Sequence, residues 1–495
     1  MRSLLAAWFP GGSPLSAADW LVFAALLSAA VWIGRRAARA KTTPADYRRA
    51  RLPEPVLAAA LLSSELSAAA LVGFPALAFR GDWTYLQFFL GSLLGRFFLA
   101  ARLLPAYFRD GEGATMYAYL GRRFGPRARS AGAGLFLLAR GAGAAARLLI
   151  AASAAGALLG WSATPTILLL AAVSAAALGR GGVRSAAWLG AFKAAAVLIF
   201  AAATAAFIVR HVDGGLGGAW SAAAEAGKLR LWRASEPGRG GWTRAALDPR
   251  LLWVAVIDGF FGAAGWLGVD YESAQKLLCA PDLKSARRTL LWETGAALAA
   301  SAALLGVGTL MFVYYKQNPG LALPGSLDQI YPHFVAAVMP RAWRGAALGV
   351  LALGAADLPL ASMSAVFAWD APPPAFGYGP SEEERLADAR RAALAFAAAS
   401  AALALLFARW PSGSDAALRL GAVVYGPLLG VFLLGVFTRE KSDGAAAAAA
   451  GAAAAFNGAL VLWAGKTAWA AGWGWLAPLG AAAAFLLGRR LSREQ

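Results

Sequence analysis

The chain has 495 residues, of which 59% are hydrophobic and only 15% are charged, and its mean hydropathy is +0.56. This composition excludes a soluble multidomain enzyme and indicates a polytopic membrane protein. A formal net charge of +19 does not indicate nucleic-acid binding, because the Arg and Lys residues fall in loops between apolar segments. The single cysteine, Cys279, excludes an internal disulfide framework and a multi-cysteine metal site.

The N-terminal region carries the first predicted membrane span, at about residues 20–34, which is followed by the basic stretch 35–41. Short loops rich in Arg and Lys stay in the cytoplasm, so this stretch predicts an N-terminus outside the membrane. Residues 1–18 form only a weak apolar run without a convincing cleavage site, and no signal peptide is predicted.

A polar patch interrupts the next apolar segment, which runs from Val56 to Phe79. The patch, residues 61–73, places three serines and Glu65 at bilayer depth, where unsatisfied polar groups are costly. We therefore predict a broken helix that lines a binding site, as in transporters built from inverted repeats. The alternative is a continuous helix whose serines bond to their own backbone carbonyls, which accounts less well for Glu65.

Apolar segments of about 20 residues recur along the rest of the chain and predict an all-α polytopic membrane protein with about 13 transmembrane helices. They lie near residues 85–108, 130–159, 165–178, 188–209, 251–275, 289–314, 343–369, 391–407, 416–437, 444–463 and 472–487. Short basic loops alternate with turns of almost no charge, which places the C-terminal stretch 489–493 in the cytoplasm. Two longer loops, 211–250 and 316–341, are predicted to fold over the outer mouth.

Charged residues inside predicted spans are candidate solute contacts. Arg140 and Arg147 are seven residues apart on one span and share a helix face, from which both guanidinium groups can bind a carboxylate or a phosphate. The alternative is that they pair with Glu293 or Asp258 and only hold helices together.

Enzyme signatures are largely absent from the sequence. The only histidines, His211 and His333, fall in predicted outer loops, so a histidine-based catalytic site or metal cluster is unsupported. No glycine-rich segment matches a phosphate-binding loop, which argues against an ATP-driven pump and leaves ion gradients as the source of energy. Asp270 and Glu272 are expected at the cytoplasmic end of a span, where water solvates them.

Five segments, in order and at similar spacing, resemble the signatures of the sodium:solute symporter family: residues 46–53, 63–73, 115–125, 275–280 and 426–439. The resemblance covers about residues 20–437 and implies a LeuT-type fold of two inverted five-helix repeats. It divides the chain into a leading helix, a first repeat, an extracellular loop, a second repeat and two final helices, at residues 1–52, 53–210, 211–250, 251–438 and 439–495.

The resemblance also implies a sodium site at the broken helix, where unwound carbonyls and hydroxyls can hold a hard cation. The carbonyl groups of Ser63 and Leu66 would contribute oxygen atoms to it. Glu65 and Ser67 lie beside them and are further candidates for coupling an ion to transport.

The serine pair that family members carry on the eighth core helix is missing from this chain. When Asp357 is aligned with an aspartate that many members show there, the places of the serines fall to Gly354 and Ala355. A shifted alignment puts Leu358 and Pro359 there instead. Neither alignment restores the pair, although the family still implies sodium as the coupling ion.

A second departure lies on the fifth core helix, where Gly190 takes the place of an aspartate that often serves a further sodium site. Lys193 follows one turn later. Its ammonium group could stand where sodium would bind, paired with Asp357 or Glu65, which would make the carrier proton-coupled or ion-independent. The alternative is that Lys193 extends to the cytoplasmic surface.

The resemblance further implies that the solute is a small polar organic molecule. The positive charges of Arg140 and Arg147 favour an anionic solute. Trp266 falls where relatives have an aromatic inner gate, Ala263 lies on the same helix, and Arg419 falls near a substrate-binding glutamine of sugar-transporting relatives. Together these features predict a monomeric secondary active transporter in a bacterial inner membrane. Its predicted partners are the lipid bilayer and the solute, and no cofactor is predicted besides Na⁺ or H⁺ as the coupling ion. The alternative of another class is a solute sensor or scaffold that has lost transport.

Overall fold

The computed structural model describes residues 15–38, 43–109, 115–178, 181–234, 246–356, 359–371, 381–410, 413–464 and 473–494. Every regular element within these ranges is a helix. The all-α prediction is therefore confirmed for the part of the chain that the structure describes.

The α-helices are numbered here along the chain. They are α1 Ala17–Ala38, α2 Pro44–Arg48, α3 Glu54–Glu65, α4 Ala68–Arg80, α5 Phe88–Phe98, α6 Leu104–Phe108, α7 Met116–Arg123, α8 Pro126–Leu159, α9 Ala163–Leu178, α10 Gly182–His211, α11 Gly215–Glu225, α12 Leu252–Trp266, α13 Tyr271–Leu278, α14 Leu283–Gln317, α15 Ile330–Ala337, α16 Trp343–Ala356, α17 Leu360–Trp369, α18 Glu382–Phe407, α19 Gly413–Phe437, α20 Asp443–Ala464 and α21 Leu476–Arg493. A π-helical turn, Leu99–Leu103, joins α5 to α6.

The polar patch does break its helix, and the chain bends by 62° between α3 and α4. The regular hydrogen-bond pattern stops at Leu66, because the Ser67 amide donates to the Glu65 carbonyl at 2.9 Å. Ser67 then caps α4, and its hydroxyl accepts from the Ala70 amide at 3.4 Å. Ser67, one of the three serines that make this stretch polar, thus begins a second helix.

A second break lies at the corresponding place in the other predicted repeat, where α12 and α13 meet at 65°. Asp270 caps α13, and its carboxylate accepts from the Glu272 amide at 2.9 Å. The apolar segment 251–275, predicted as one span, is therefore two half-helices. Paired breaks of this kind are typical of inverted-repeat transporters.

Eight helices of the described residues are long and apolar enough to cross a membrane, or up to ten when each bent pair counts as one span. Two shorter apolar helices, Ala163–Ala177 and Val423–Phe437, add to these. The predicted number of about 13 is not confirmed. Several predicted spans were also too short: α8 has 34 residues and α14 has 35, so both extend beyond a bilayer core of roughly 30 Å.

Glycines allow α5 and α12 to pack with their backbones in contact. A Cβ atom added at Gly91 would collide with the Val256 carbonyl, and one added at Gly259 would collide with the Phe88 carbonyl. Helices in membranes associate through such small residues because lipid offers little hydrophobic drive for their association. This contact fixes α5 against the half-helix that leads into the second break.

Replacing Gly91 by alanine is expected to destabilise the protein by about 1–3 kcal/mol, because the backbone atom it meets cannot rotate away. The matched control is Gly134→Ala on α8, where an added Cβ meets nothing within 4 Å. Thermal unfolding of the detergent-purified variants measures the difference. Equal melting temperatures for the two variants would show that the α5–α12 contact is looser than described.

Candidate solute and ion site

A cavity of about 490 Å³ opens between the two helix breaks. Its walls come from both predicted repeats, with α3, α4, α5, α8, α12, α13, α14 and α19 all contributing side chains. The charged lining residues are Glu65, Asp258, Arg140 and Arg147, and the hydroxyl-bearing serines are Ser64, Ser67, Ser92, Ser273 and Ser301. A volume of this size suits a small organic solute.

One wall is organised by Arg96 on α5, whose side chain is only 2% exposed. Its Nη2 donates to Glu65 Oε1 at 2.6 Å, and its Nε and Nη2 bind both carboxylate oxygens of Glu293 at 3.2 and 3.1 Å. Trp266 Nε1 also donates to Glu65 Oε1, at 3.3 Å. A single guanidinium group therefore joins the break in α3 to α14, and carboxylates outnumber cations in this cluster.

The opposite wall is organised by Arg140 on α8. Its Nε donates to Asp270 Oδ2 at 2.5 Å, and its Nη1 lies 2.9 Å from Glu272 Oε2. Tyr425 donates its hydroxyl to the same oxygen of Asp270 at 2.7 Å. Arg147, two turns further along α8, reaches Glu272 only at 3.5 Å. Within the described part of the chain, Arg140 is thus engaged in holding the second break, whereas Arg147 forms one long ion pair.

Lys276 on α13 connects the two breaks directly. Its ammonium group donates to the Ser64 hydroxyl and lies 3.4 Å from Glu272 Oε1. The side chain is buried, so both contacts are made away from bulk water. Since a hydrogen bond to a charged group is stronger when water is excluded, Lys276 ties α3 to the half-helix α13.

Lys193 is enclosed on α10, with 1% of its surface exposed. α10 and α3 run parallel, because Gly182 packs against Tyr47, just before α3, and Gly190 packs against Ser63, near its end. Lys193 lies one turn beyond Gly190 on the same face and is level with the first break. Helical side chains lean towards the N-terminus, which directs the ammonium group back towards Gly190 and Ser63.

α16 corresponds to the predicted eighth core helix, and the residue that it places against the first break is a glycine. A Cβ atom added at Gly354 on α16 would lie 3.2 Å from the Ala68 amide nitrogen, at the start of α4. The neighbouring Ala355 carbonyl accepts a hydrogen bond from Ser174 Oγ at 2.7 Å. The position that faces the break therefore brings no hydroxyl oxygen to it. Asp357, a predicted coupling residue, lies outside the described residues.

The structure brings most of the predicted site residues together. Glu65, Leu66, Ser67, Arg140, Arg147 and Trp266 line the cavity, with Ser63 and Lys193 buried beside the first break. Ala263 is fully buried, packs against Gly95 of α5 and does not line the cavity, so it has a packing position instead of the predicted solute contact. Arg419 belongs to α19, but its side chain lies outside what the structure describes.

One expectation and two alternatives about charged residues were wrong. Asp270 and Glu272 are buried, not solvated at a helix end, because the break turns them into the bundle towards Arg140. The expected partners of Arg140, Glu293 and Asp258, are not its partners, since Glu293 binds Arg96. The alternative that Lys193 extends to the surface is excluded by its burial.

Sequence reasoning missed three residues that organise the site: Arg96, Lys276 and Tyr425. Arg96 stands in a segment, Gly95 to Phe98, that reads as the apolar middle of a span. A lone arginine at that depth is itself a signal, because an intramembrane charge requires a partner. Lys276 follows Gln275 in one of the family-like segments, but only the fold shows that it meets Ser64.

Comparison with known proteins agrees with this geometry. A family model described as the sodium:solute symporter family matches residues 50–450, which is most of the chain. The chain belongs to the sodium:solute symporter family. As a family member it is a secondary active transporter embedded in a membrane, not an enzyme.

Relatives with known transport functions are similar over most of the symporter. A sodium/sialic acid symporter of Proteus mirabilis is 26% identical over 452 residues, which cover 86% of each chain. A sodium/sialic acid symporter of Aliivibrio fischeri is 25% identical and covers 86% of this chain and 84% of its own. A sodium-dependent multivitamin transporter of Oryctolagus cuniculus is also 25% identical, covering 86% of this chain and 67% of its own.

Solved structures support the fold. A Na⁺-coupled sialic acid symporter in a substrate-bound, outward-open state superposes with a TM-score of 0.82 at 20% identity, covering 97% of this chain and 98% of its own. A nucleobase-cation-symport-1 family transporter with bound bromovinylhydantoin, in a closed conformation, gives a TM-score of 0.54 at 15% identity, covering 92% and 96%. At these identities the likeness shows a shared symporter fold.

Proposed function

We propose that this symporter moves a small organic solute that carries a carboxylate by alternating access, with the carboxylate bound by Arg147. The observation that supports this most is the unequal use of the two arginines on α8. Arg140 binds Asp270 and Glu272 closely, but Arg147 lines the cavity and, among the described residues, forms one ion pair, at 3.5 Å. Sialic acid, the solute of two relatives, also carries a carboxylate.

Arg147 suits this role because guanidinium groups present paired donors that match the two oxygens of a carboxylate. Glu272 holds the Arg147 side chain from one side while the rest of the guanidinium group faces the cavity. Trp266 and Tyr425 border the same space and can enclose an organic body. Trp266 is proposed as the inner gate, since it stands at the end of α12 where the chain breaks.

Arg147→Gln is expected to lower uptake of a labelled carboxylate about 10- to 100-fold, because it removes a charge-assisted hydrogen bond inside a cavity. Arg147→Lys should give an intermediate loss, since lysine keeps the charge but not the paired donors. The matched control is Arg391→Gln, an exposed arginine whose pair with Asp388 is on the surface. Counterflow into proteoliposomes, with carboxylates and neutral sugars offered together, measures the effect. Exchange of neutral sugars alone would overturn the proposal.

For the coupling ion, we infer that the Lys193 ammonium group takes the place of a sodium ion. Lys193 is level with the first break, and Gly190 and Gly354 bring no side-chain oxygen to the same region. A fixed positive charge beside Ser63 repels a second cation and stabilises the polar backbone of the break. The carrier would then move its solute with protons or by solute exchange alone.

Sodium coupling is the second candidate, and membership of a family described as sodium:solute symporters favours it. In that case the carbonyl oxygens of Ser63 and Leu66 would bind Na⁺, with Glu65 as the nearest carboxylate on the same helix. Lys193 would then be a structural charge. The two candidates differ in one measurable property, the dependence of uptake on sodium.

The setting in the membrane follows from the same sequence features. We propose an inner-membrane protein of a bacterium with its N-terminus outside and its C-terminus in the cytoplasm, because the basic ends of α1 and α21 obey the positive-inside rule. The inverted repeats are proposed at residues 53–210 and 251–438, each of which contains one broken helix. A monomer remains the prediction for the assembly state.

A further inference from the structure

The cavity has a second pole, opposite in charge to Arg147. Asp258, in the middle of α12, lines the same space as Arg147. Among the residues that the structure describes, none donates a hydrogen bond to its carboxylate or forms an ion pair with it. A carboxylate at membrane depth is costly unless it has a function or a partner. A solute bound in the cavity can supply that partner.

The carboxylate of Asp258 fits against Gly474 because that residue has no side chain. A Cβ atom added at Gly474, beside the start of α21, would lie 3.0 Å from Asp258 Cγ and 3.1 and 3.2 Å from its oxygens. Any larger residue would press on the carboxylate and displace it. Tyr85 lies within electrostatic range of both Asp258 and Glu65, so the two acidic groups belong to one region of the cavity.

An aromatic wall lies beside these acidic groups. The rings of Tyr85 and Phe88 stack at 5.7 Å with an angle of 12° between them, and Phe88 stacks on Trp266 at 5.6 Å and 23°. All three line the cavity. The face of an aromatic ring attracts a cation, so a ring of this wall that turns a face to the cavity near a carboxylate suits an organic ammonium group.

Asp258 and Arg147 border one cavity of about 490 Å³ but do not form an ion pair with each other. A solute that satisfies both must carry a positive group at one end and a negative group at the other. Burying either charge alone would leave the opposite one desolvated and unpaired, which is costly. A simple anion would neutralise Arg147 but leave Asp258 facing a water-poor space.

We propose that the transported solute is a zwitterion, an amino acid or a betaine, whose ammonium group binds between Asp258 and the aromatic wall of Tyr85, Phe88 and Trp266 while its carboxylate binds Arg147. This proposal rests on the proposed carboxylate-binding role of Arg147 and adds the chemistry of the other end. The two poles come from different repeats, Arg147 on α8 and Asp258 on α12. Binding of one solute to both would therefore draw the repeats together.

The test uses the full-length protein in proteoliposomes of one lipid composition. The protein amino acids and glycine betaine are screened by counterflow, and the best amino acid is compared with its deaminated carboxylic acid and its decarboxylated amine. Uptake of the zwitterion is expected to exceed that of both analogues about tenfold or more, because each analogue leaves one charge unpaired. Asp258→Asn should lower uptake of the zwitterion about tenfold and raise uptake of the deaminated acid, because the variant no longer leaves a buried carboxylate unpaired.

Asp388→Asn, at an exposed position on α18, is the matched control and should change the uptake of neither solute. If Asp258→Asn does not fold, Gly474→Ala crowds the same carboxylate and should shift the preference in the same direction. Equal uptake of the amino acid and its deaminated acid, unaffected at Asp258, would overturn the zwitterion inference and leave the carboxylate proposal intact. Loss of Asp258 that alters only the response to Na⁺ would also overturn it. If no carboxylate is taken up, or Arg147→Gln has no effect, the proposed function itself fails.

Discussion

Arg96→Gln is expected to prevent most of the protein from reaching a folded state, because it leaves the buried Glu293 and the partly buried Glu65 without their counter-charge. Removing one partner of a buried ion pair costs about 3–5 kcal/mol, and here one arginine serves two acids. The yield of monodisperse protein and its melting temperature measure the effect. The double variant Arg96→Gln with Glu293→Gln should recover part of the loss, since it also removes the more deeply buried of the two acids.

The matched control for Arg96 is Arg490→Gln, which breaks an ion pair with Glu494 on the surface. The side chains of that pair are 80% and 58% exposed, and pairs of this kind contribute little to stability. The melting temperature of Arg490→Gln should therefore equal that of the wild type. An Arg96→Gln protein as stable as this control would show that the two carboxylates are protonated or solvated in the folded state.

Lys193→Met is expected to lower solute uptake about 5- to 150-fold, the usual range for coupling free energies of 1–3 kcal/mol. Methionine keeps the apolar volume of the lysine stem but removes the charge that we place beside Ser63. Uptake by the wild type should respond to a proton gradient, and the variant should lose that response. Proteoliposome uptake with and without a proton gradient measures both effects.

Lys316→Met, at the exposed end of α14, is the control for removing a lysine elsewhere in the chain. It should leave the rate and its response to a proton gradient unchanged. If Lys193→Met transports as the wild type does, the lysine is a structural charge and the proton-coupled candidate is lost. A variant that gains uptake in sodium would instead show that the lysine blocks a cation site that the chain can still form.

The first helix break could be predicted from the sequence because the cause is local. Three serines and a carboxylate in an apolar segment are costly in an unbroken lipid-facing helix, and Ser67 caps the helix that follows. The second break was harder to predict, because residues 251–275 look like one apolar span until Asp270 and Glu272 are seen to turn inwards. There the sequence shows two acids near a helix end, which is compatible with solvation as well as with burial.

The pairing of charges could not be predicted for a different reason. Arg140 and Asp270 are 130 residues apart in the chain, and Arg96 and Glu293 are 197 apart, so each pair depends on which helices pack together. Local patterns give the depth and face of a charged residue but not its neighbour on another helix. Arg147 and Arg140 illustrate this point, since they share a face and yet only the fold separates the structural arginine from the one facing the cavity.

The role proposed for Lys193 depends on both the local sequence and the packing of the helices. The sequence shows a glycine where the family often has an aspartate, with a lysine one turn later, and in the structure this lysine is buried and level with the first break. Neither observation alone identifies a role. Together they suggest that a positive side chain has replaced a positive ion at the centre of a symporter.

The most direct test of that claim is uptake by wild-type protein in proteoliposomes under a sodium gradient, a proton gradient or neither, with potassium replacing sodium on both sides in the last two. A mixed pool of labelled carboxylates and amino acids serves as the solute. We expect uptake to proceed without sodium and to respond to the proton gradient or to solute exchange. Uptake that occurs only when sodium is present would contradict the role of Lys193 and place the coupling ion at the carbonyls of Ser63 and Leu66.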